Sequence, residues 1–143
     1  MFRTVAACAA LLAILLLSTT PAHAADPMVG KINDMRRAHG VAPLKHAPGL
    51  SRASTSYARR LMRADRLAHP SRAAGRFSAS GEILALQSGW RVRRAAAVRA
   101  WLNSPSHRPI LLSRGFRHVG VGMSRGRFGS ARSSIWVVRF GRR

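Results

Sequence analysis

The apolar positions of the chain recur at helical spacing in three segments. Met28, Ile32 and Met35 follow one another at intervals of four and three residues, so they lie on one face of a helix. The same periodicity recurs in two later segments, and the first of them begins just after Pro48, a residue that favours the first turn of a helix. We predict helices over 28–38, 49–64 and 91–103.

The C-terminal part of the chain has a different pattern. The stretches "HVGVGMS" and "SSIWVVRFG" are rich in valine, isoleucine and tryptophan, and the turn-forming "RGRFGSAR" separates them. They predict two antiparallel strands, over 118–124 and 134–140. Between the helices, "AHPSRAAGRFSASG" and the segment around Glu82 are interpreted as connections. The residues predicted to form the core are Ile32, Leu50, Tyr57, Leu61, Trp101, Leu102, Val119, Val121, Val137 and Phe140.

The first 24 residues predict a secretory signal peptide. Arg3 precedes an uncharged apolar run, and Ala22–His23–Ala24 has the A-x-A form of a cleavage site. The apolar run is short for a membrane anchor, which is the alternative. Cleavage after Ala24 leaves one domain, 25–143, without a transmembrane anchor. Cys8 leaves with the leader, so the exported domain has no cysteine and depends on packing or on a metal ion.

The charge of the chain is strongly positive. It has 25 Lys plus Arg against 4 Asp plus Glu, a formal net charge of +21. Such a charge attracts polyanions, and for an exported protein we expect anionic envelope polymers or lipids rather than a specific nucleic acid. Nearly all the basic residues are arginine, so the charge also fits a compositional bias, and its functional meaning stays open. We expect a monomer that is secreted or held at the cell envelope.

Three residues carry candidate chemistry: His69, Glu82 and His107. Each is interpreted as part of a connection beside a helix, and Glu82 is the only glutamate of the chain. Two imidazoles and a carboxylate are ligands for zinc or another divalent cation, and they also suit acid–base chemistry near neutral pH. Their spacings match no local metal motif, so the residues alone leave open whether they share a site. The other histidines of the domain, His39, His46 and His118, are interpreted as structural or surface residues.

Several motifs resemble a known family. "WLNSPSHR" at 101–108, "SGEILA" at 80–85 and "FRHVGVGM" at 116–123 are similar to the bacterial CAP domain, of the SCP-like superfamily that includes cysteine-rich secretory proteins, antigen 5 and pathogenesis-related 1 proteins. The resemblance covers about residues 28 to 141. It implies an α+β fold, the CAP-type α-β-α sandwich with a small antiparallel sheet between helical layers. It also implies a surface cavity lined by histidine and glutamate.

Matched position by position, the resemblance assigns His69, Glu82 and His107 to that cavity. The chain also departs from the family pattern. The second cavity glutamate and the last-strand histidine of animal members have no counterpart here. Ile83 and Ile110 stand where bacterial relatives often have asparagines, which predicts an apolar contact in place of a polar pair, a more apolar pocket floor and weaker support for a metal.

Three functions remain open on this basis. The first is a non-enzymatic binding domain at the cell envelope, with a lipid or a wall polymer as its ligand. The second is a metal-dependent hydrolase that uses His69, His107 and Glu82. The third is a cationic surface-binding protein. If the three residues share the cavity, Glu82 should lie within about 2.6–3.2 Å of at least one of the two imidazoles, or be joined to it by one bridging ion.

Overall fold

The structure is a computed structural model that describes residues 26–70 and 79–142. The predicted signal peptide lies outside these residues. Within them, no helix is long and apolar enough to cross a membrane. The elements of the described part, in chain order, are α1 (Pro27–Ala38), β1 (Lys45–His46), α2 (Pro48–Arg63), β2 (Ala79–Ser88), α3 (Arg94–Asn103), α4 (Arg108–Leu111), β3 (His118–Phe128) and β4 (Ala131–Arg142).

The three helices and the C-terminal hairpin predicted from the sequence are confirmed. The third helix begins at Arg94, three residues later than predicted, and both strands of the hairpin are longer than predicted. The interpretation of "AHPSRAAGRFSASG" and the Glu82 segment as connections is wrong from Ala79 onward, because β2 begins there and contains Glu82. Residues 71–78 of the predicted connection lie outside the described residues. Ile83 and Leu84 are both buried, one on each face of the sheet. A strand covered on both faces lacks the apolar–polar alternation by which strands are recognised.

The sheet has the strand order β1-β3-β4-β2. β4 lies between β3 and β2 and runs antiparallel to both, while the two-residue β1 pairs with β3 in parallel. Side chains on one face of the sheet pack against α2, and those on the other face pack against α1 and α3. The result is a mixed α+β sandwich with the sheet as its middle layer.

The predicted core is largely confirmed. Nine of the ten residues are buried, and Leu102 is partly buried against the same cluster. Trp101 is 2% exposed, and its indole Nε1 donates to the carbonyl oxygen of Leu84 at 2.9 Å. Because β2 is an edge strand, this bond satisfies a carbonyl that no neighbouring strand reaches. Trp101 therefore holds α3 against the edge of the sheet.

Glycines in β3 bring α2 unusually close to the sheet. A Cβ atom at Gly120 would lie 2.3 Å from the Ser51 nitrogen, and one at Gly122 would lie 2.1 Å from the Thr55 nitrogen, both in the α2 backbone. Any side chain at these positions would push the helix away. The pattern "HVGVGMS" therefore marks a strand on which a helix backbone rests directly.

One arginine belongs to the interior rather than the surface. Arg36 is fully buried, and its guanidinium donates to the carbonyl oxygens of Ala42, Leu111 and Ser113 at 2.9, 2.7 and 3.1 Å. Burial is the main cause that lowers the pKa of Arg36 below its usual value. The side chain joins the end of α1 to the segment that follows α4.

Candidate functional site

The site is built around Glu82, which projects from β2 toward the face of the sheet that α2 covers. Its side chain is 12% exposed. In the antiparallel register of β2 and β4, Glu82 lies directly opposite Arg139. The Nε of Arg139 donates to Oε2 of Glu82 at 2.8 Å. The strand pairing thus supplies the carboxylate with a cation.

His69 reaches the same carboxylate from the segment that follows α2. Its Nδ1 lies 3.0 Å from Oε1 of Glu82. An ionised carboxylate only accepts hydrogen bonds, so the imidazole donates from Nδ1. This distance confirms the expected contact between Glu82 and an imidazole. The His69 side chain is 58% exposed, so the buried carboxylate is linked to an imidazole at the surface.

Arg139 is a site residue that the sequence did not identify. It is buried, and its guanidinium lies 4.9 Å from the centre of the Tyr57 ring while it holds Glu82. The signal was present as one arginine inside the apolar run "IWVVRFG", between the buried Val138 and Phe140. A charge in such a place requires a partner. The partner could not be identified until β2 was recognised as a strand.

Tyr57 connects the site to α2. Its hydroxyl donates to the carbonyl oxygen of Ala68 at 2.6 Å, and Arg60 stacks on its ring with 4.8 Å to the centre. Burial, and then the negative charge of Glu82, raise the pKa of Tyr57 above its usual value of 10.0. The hydroxyl therefore stays protonated and fixes the backbone one residue before His69.

An open cleft of about 370 Å³ lies beside this network. Its lining combines arginine and imidazole groups with an aromatic ring and small apolar side chains: Tyr57, Arg60, Leu61, Ala64, Arg66, Ala68 and His69. Two carboxylates lie beside lining residues: that of Glu82, which Arg139 neutralises, and that of Asp65, between Ala64 and Arg66, which accepts the backbone N–H of Gly129. Arg60 and Arg66 give the lining of the cleft a positive charge.

His107 occupies the turn before α4. Its Nδ1 lies 2.9 Å from the Ser104 hydroxyl oxygen. Burial, and then the positive charge of His69, lower the pKa of His107 from its usual value of 6.5. The two imidazoles are thus near enough to influence each other. His107 contributes to the surroundings of the site, whereas His69 and Glu82 are in direct contact.

The described arrangement does not fit a resident divalent ion. Within 26–70 and 79–142, no group of three His, Cys, Asp or Glu side chains lies close enough together to hold a metal. Both oxygens of Glu82 are engaged, one by His69 and one by the guanidinium of Arg139, which would repel a cation. A metal role for His69, His107 and Glu82 stays a prediction that this geometry does not favour.

Ile83 and Ile110, the two isoleucines that depart from the family pattern, belong to the apolar core and its edge. Ile83 is fully buried in the cluster on the α1 and α3 face, and Ile110 packs against that cluster. A Cβ atom at Gly81 would lie 3.0 Å from a methyl group of Ile110, so the contact there is tight. Side chains alternate along a strand, so Ile83 points away from Glu82. Instead of forming the pocket floor, as we expected, these residues support β2 from behind.

Comparisons with known proteins agree with this architecture. A family model described as CAP, the cysteine-rich secretory protein family, matches residues 29–140. An outer surface protein of Borrelia burgdorferi is 26% identical, with a TM-score of 0.64 over 82% of this chain and 90% of that one. No curated protein sequence matches the chain significantly.

Two further structures show the fold alone. An extracellular protein with an SCP domain from Bacillus anthracis is 22% identical, with a TM-score of 0.66 over 82% of this chain and 39% of that one. The venom allergen-like protein 4 of Schistosoma mansoni is 13% identical, with a TM-score of 0.57 over 81% of this chain and 84% of that one.

Proposed function

Because the chain belongs to the cysteine-rich secretory protein family, we propose that it is an exported, non-enzymatic binding domain of the cell envelope. In this proposal, the cleft beside His69 and Glu82 binds a phosphate-bearing group of an envelope lipid or wall polymer. The signal peptide predicted at 1–24 supports export. So does the outer-surface description of the similar Borrelia burgdorferi protein.

The observation that carries the proposal is the charge of the cleft. Arg60, Arg66 and His69 line it, and the nearby carboxylate of Glu82 is compensated by Arg139. Arginine is suited to phosphate because its planar guanidinium can donate two parallel hydrogen bonds. An anion that enters the cleft meets two such groups and an imidazole.

The apolar part of the lining favours a ligand that is more than a free ion. Leu61, Ala64 and Ala68 lie among the basic residues, and the Tyr57 ring adds an aromatic surface. A volume of about 370 Å³ falls within the range of small-molecule sites. The cleft therefore suits a phosphodiester together with the glycerol or the start of the acyl chain attached to it.

The state of Glu82 favours binding over catalysis. A general base must lie within hydrogen-bond reach of the proton that it removes. Glu82 is 12% exposed and is not among the residues that line the cleft. Both Glu82 oxygens already accept hydrogen bonds, from His69 and from Arg139. In this arrangement Glu82 holds the His69 imidazole in a fixed orientation at the edge of the cleft.

Titration of the mature protein, 25–143, with two phosphodiester probes tests the proposal. Short-chain phosphatidylglycerol and soluble glycerol phosphate oligomers share the phosphate and differ in the acyl chain, so they separate a lipid from a wall polymer. Amide NMR shifts should concentrate at 57–69. Arg60→Gln and Arg66→Gln should each weaken binding about three- to fivefold, the scale of an exposed charge pair.

Arg59→Gln is the matched control, because Arg59 neighbours Arg60 on α2 and does not line the cleft. Equal losses for Arg59→Gln and Arg60→Gln, with binding abolished by salt, would support a purely cationic surface protein instead. Zinc bound at one equivalent by wild type and lost in His69→Ala would support the metal-dependent hydrolase and contradict the proposal.

A further inference from the structure

An exposed tryptophan lies among arginines at one end of the sheet. Trp90 follows β2 and is 51% exposed, and the Arg132 guanidinium lies 4.8 Å from the centre of its ring. Arg91 is the next residue, and Arg127 lies opposite Arg132 in the pairing of β3 with β4. We refer to Trp90, Arg91, Arg127 and Arg132 as the Trp90 surface.

The backbone that presents Trp90 is attached to β4. Gly89 adopts a φ of +80°, which turns the chain out of β2. The Gly89 nitrogen donates to the carbonyl oxygen of Arg132 at 2.7 Å, and the Ser134 hydroxyl donates to the carbonyl oxygen of Gly89 at 3.3 Å. Trp90 is therefore held at the surface by a defined turn.

Among the residues that the structure describes, no carboxylate forms an ion pair with the arginines of this surface. Arg127 and Arg132 are directly opposite each other, and like charges at such positions destabilise a sheet. The sequence from 83 to 143 contains no aspartate or glutamate. The carboxylate that reaches the β3–β4 turn belongs to Asp65, which accepts the backbone N–H of Gly129. An anionic partner would relieve the repulsion between the two arginines.

We propose that the Trp90 surface docks the protein on an anionic lipid bilayer. The indole ring enters the headgroup region, and the arginines contact lipid phosphates. A soluble polyanion would use only the charges, whereas a bilayer interface also removes the half-exposed indole from water and leaves its N–H hydrated. Basic residues near a membrane surface add electrostatic attraction. This surface shares no residue with the lining of the cleft, and the inference does not depend on the cleft's ligand.

The tryptophans of the protein make docking directly measurable. The chain has three, and Trp101 and Trp136 are 2% and 3% exposed, so solvent-sensitive emission comes from Trp90. The probe is a vesicle of phosphatidylcholine, with or without phosphatidylglycerol, added to the mature protein. The emission should shift to the blue and resist acrylamide quenching only with phosphatidylglycerol. Trp90→Phe should abolish the spectral change.

Vesicle sedimentation then gives the partition coefficients. We expect Trp90→Ala to weaken partitioning about tenfold, through loss of apolar burial. Arg132→Gln should weaken it about fivefold, the loss of one basic contact. Arg52→Gln removes the same charge from an exposed site in the N-terminal half of α2 and should have little effect. The Arg60→Gln/Arg66→Gln variant should retain the blue shift, so failure at the cleft is distinguishable from failure here.

Three outcomes would overturn the inference. One is that the protein sediments together with phosphatidylglycerol vesicles while the Trp90 emission stays unchanged. Another is wild-type partitioning by Trp90→Ala whose circular dichroism shows it folded. The third is an equal blue shift with soluble glycerol phosphate oligomers and none with vesicles, which would assign the surface to a polymer.

Discussion

Glu82 and Arg139 face each other across β2 and β4, with Arg139 Nε 2.8 Å from Glu82 Oε2. The pair explains why the only glutamate of an arginine-rich chain lies inside a strand. A buried arginine in a central strand requires a carboxylate, and the register provides one. The same carboxylate then holds His69, so a structural ion pair also orients the imidazole at the cleft.

Breaking this pair from one side should destabilise the domain. Arg139→Met leaves the Glu82 carboxylate largely buried without its cation, and we expect a loss of about 2–4 kcal/mol in the free energy of unfolding. Arg37→Met is the control, because it breaks the exposed Arg37–Asp34 pair and should cost below about 0.5 kcal/mol. The double variant Glu82→Met/Arg139→Met should recover most of the loss, since no unpaired charge remains. Urea unfolding measures all three. Equal stabilities of Arg139→Met and wild type would contradict the account.

Two glycine substitutions should have opposite effects, because Gly122 lies against the α2 backbone and Gly30 has open space beside it. Gly122→Ala places a methyl group into the α2 backbone and should cost more than about 3 kcal/mol. Gly30→Ala lies within α1, where an added Cβ has nothing within 4 Å, and should stabilise by about 0.5–1 kcal/mol. Thermal unfolding of the two variants checks the prediction. A Gly122→Ala protein as stable as wild type would show that α2 can move away at little cost.

Trp101 should be one of the main contributors to stability. Trp101→Ala removes a buried side chain from the core and the hydrogen bond to Leu84, so we expect a loss of about 3–5 kcal/mol. Trp90→Ala is the control for loss of an indole, and its half-exposed ring should contribute less than about 0.5 kcal/mol to folding. Guanidinium unfolding followed by circular dichroism separates them. Similar losses for the two variants would place Trp101 outside the core.

His107 should make stability depend on pH. Burial, and then His69, lower the pKa of His107 in the folded state, whereas the unfolded chain takes up the proton near 6.5. Below about 6.5 the unfolded state therefore binds more protons, and the free energy of unfolding falls as the pH falls through the window down to the folded pKa. Above that window His107 adds no further dependence. In His107→Gln the fall should be smaller, as urea unfolding at several pH values would show.

The influence of His69 on His107 can be tested separately. His69→Gln removes the secondary cause and leaves the burial, so the pKa of His107 should rise toward 6.5 without reaching it. NMR titration of the His107 ring measures this shift. His39→Gln, which removes an exposed imidazole bonded to the Met35 carbonyl oxygen at the end of α1, is the control. A His107 pKa that is the same in all three proteins would show that the two imidazoles of the site are not coupled.

The sequence by itself determined the helices α1, α2 and α3, the C-terminal hairpin and most of the core. These features follow from periodicities of a few residues, which are local properties of the chain. The motifs also indicated that His69 and Glu82 line one cavity, because they resemble a family whose members have a histidine and a glutamate at the matching positions. His107 was assigned to the same neighbourhood in the same way.

Only the tertiary structure determined which charged side chains pair with each other. Glu82 and Arg139 are 57 positions apart, and their contact depends on the register of β2 against β4, which no local pattern encodes. β2 itself was missed because Ile83 and Leu84 are buried on opposite faces, which removes the alternation of an exposed strand. The role of Gly122 was also missed, because it depends on the α2 backbone that packs directly against it. Local spacing determines which faces are apolar, whereas packing and strand register determine which charge meets which.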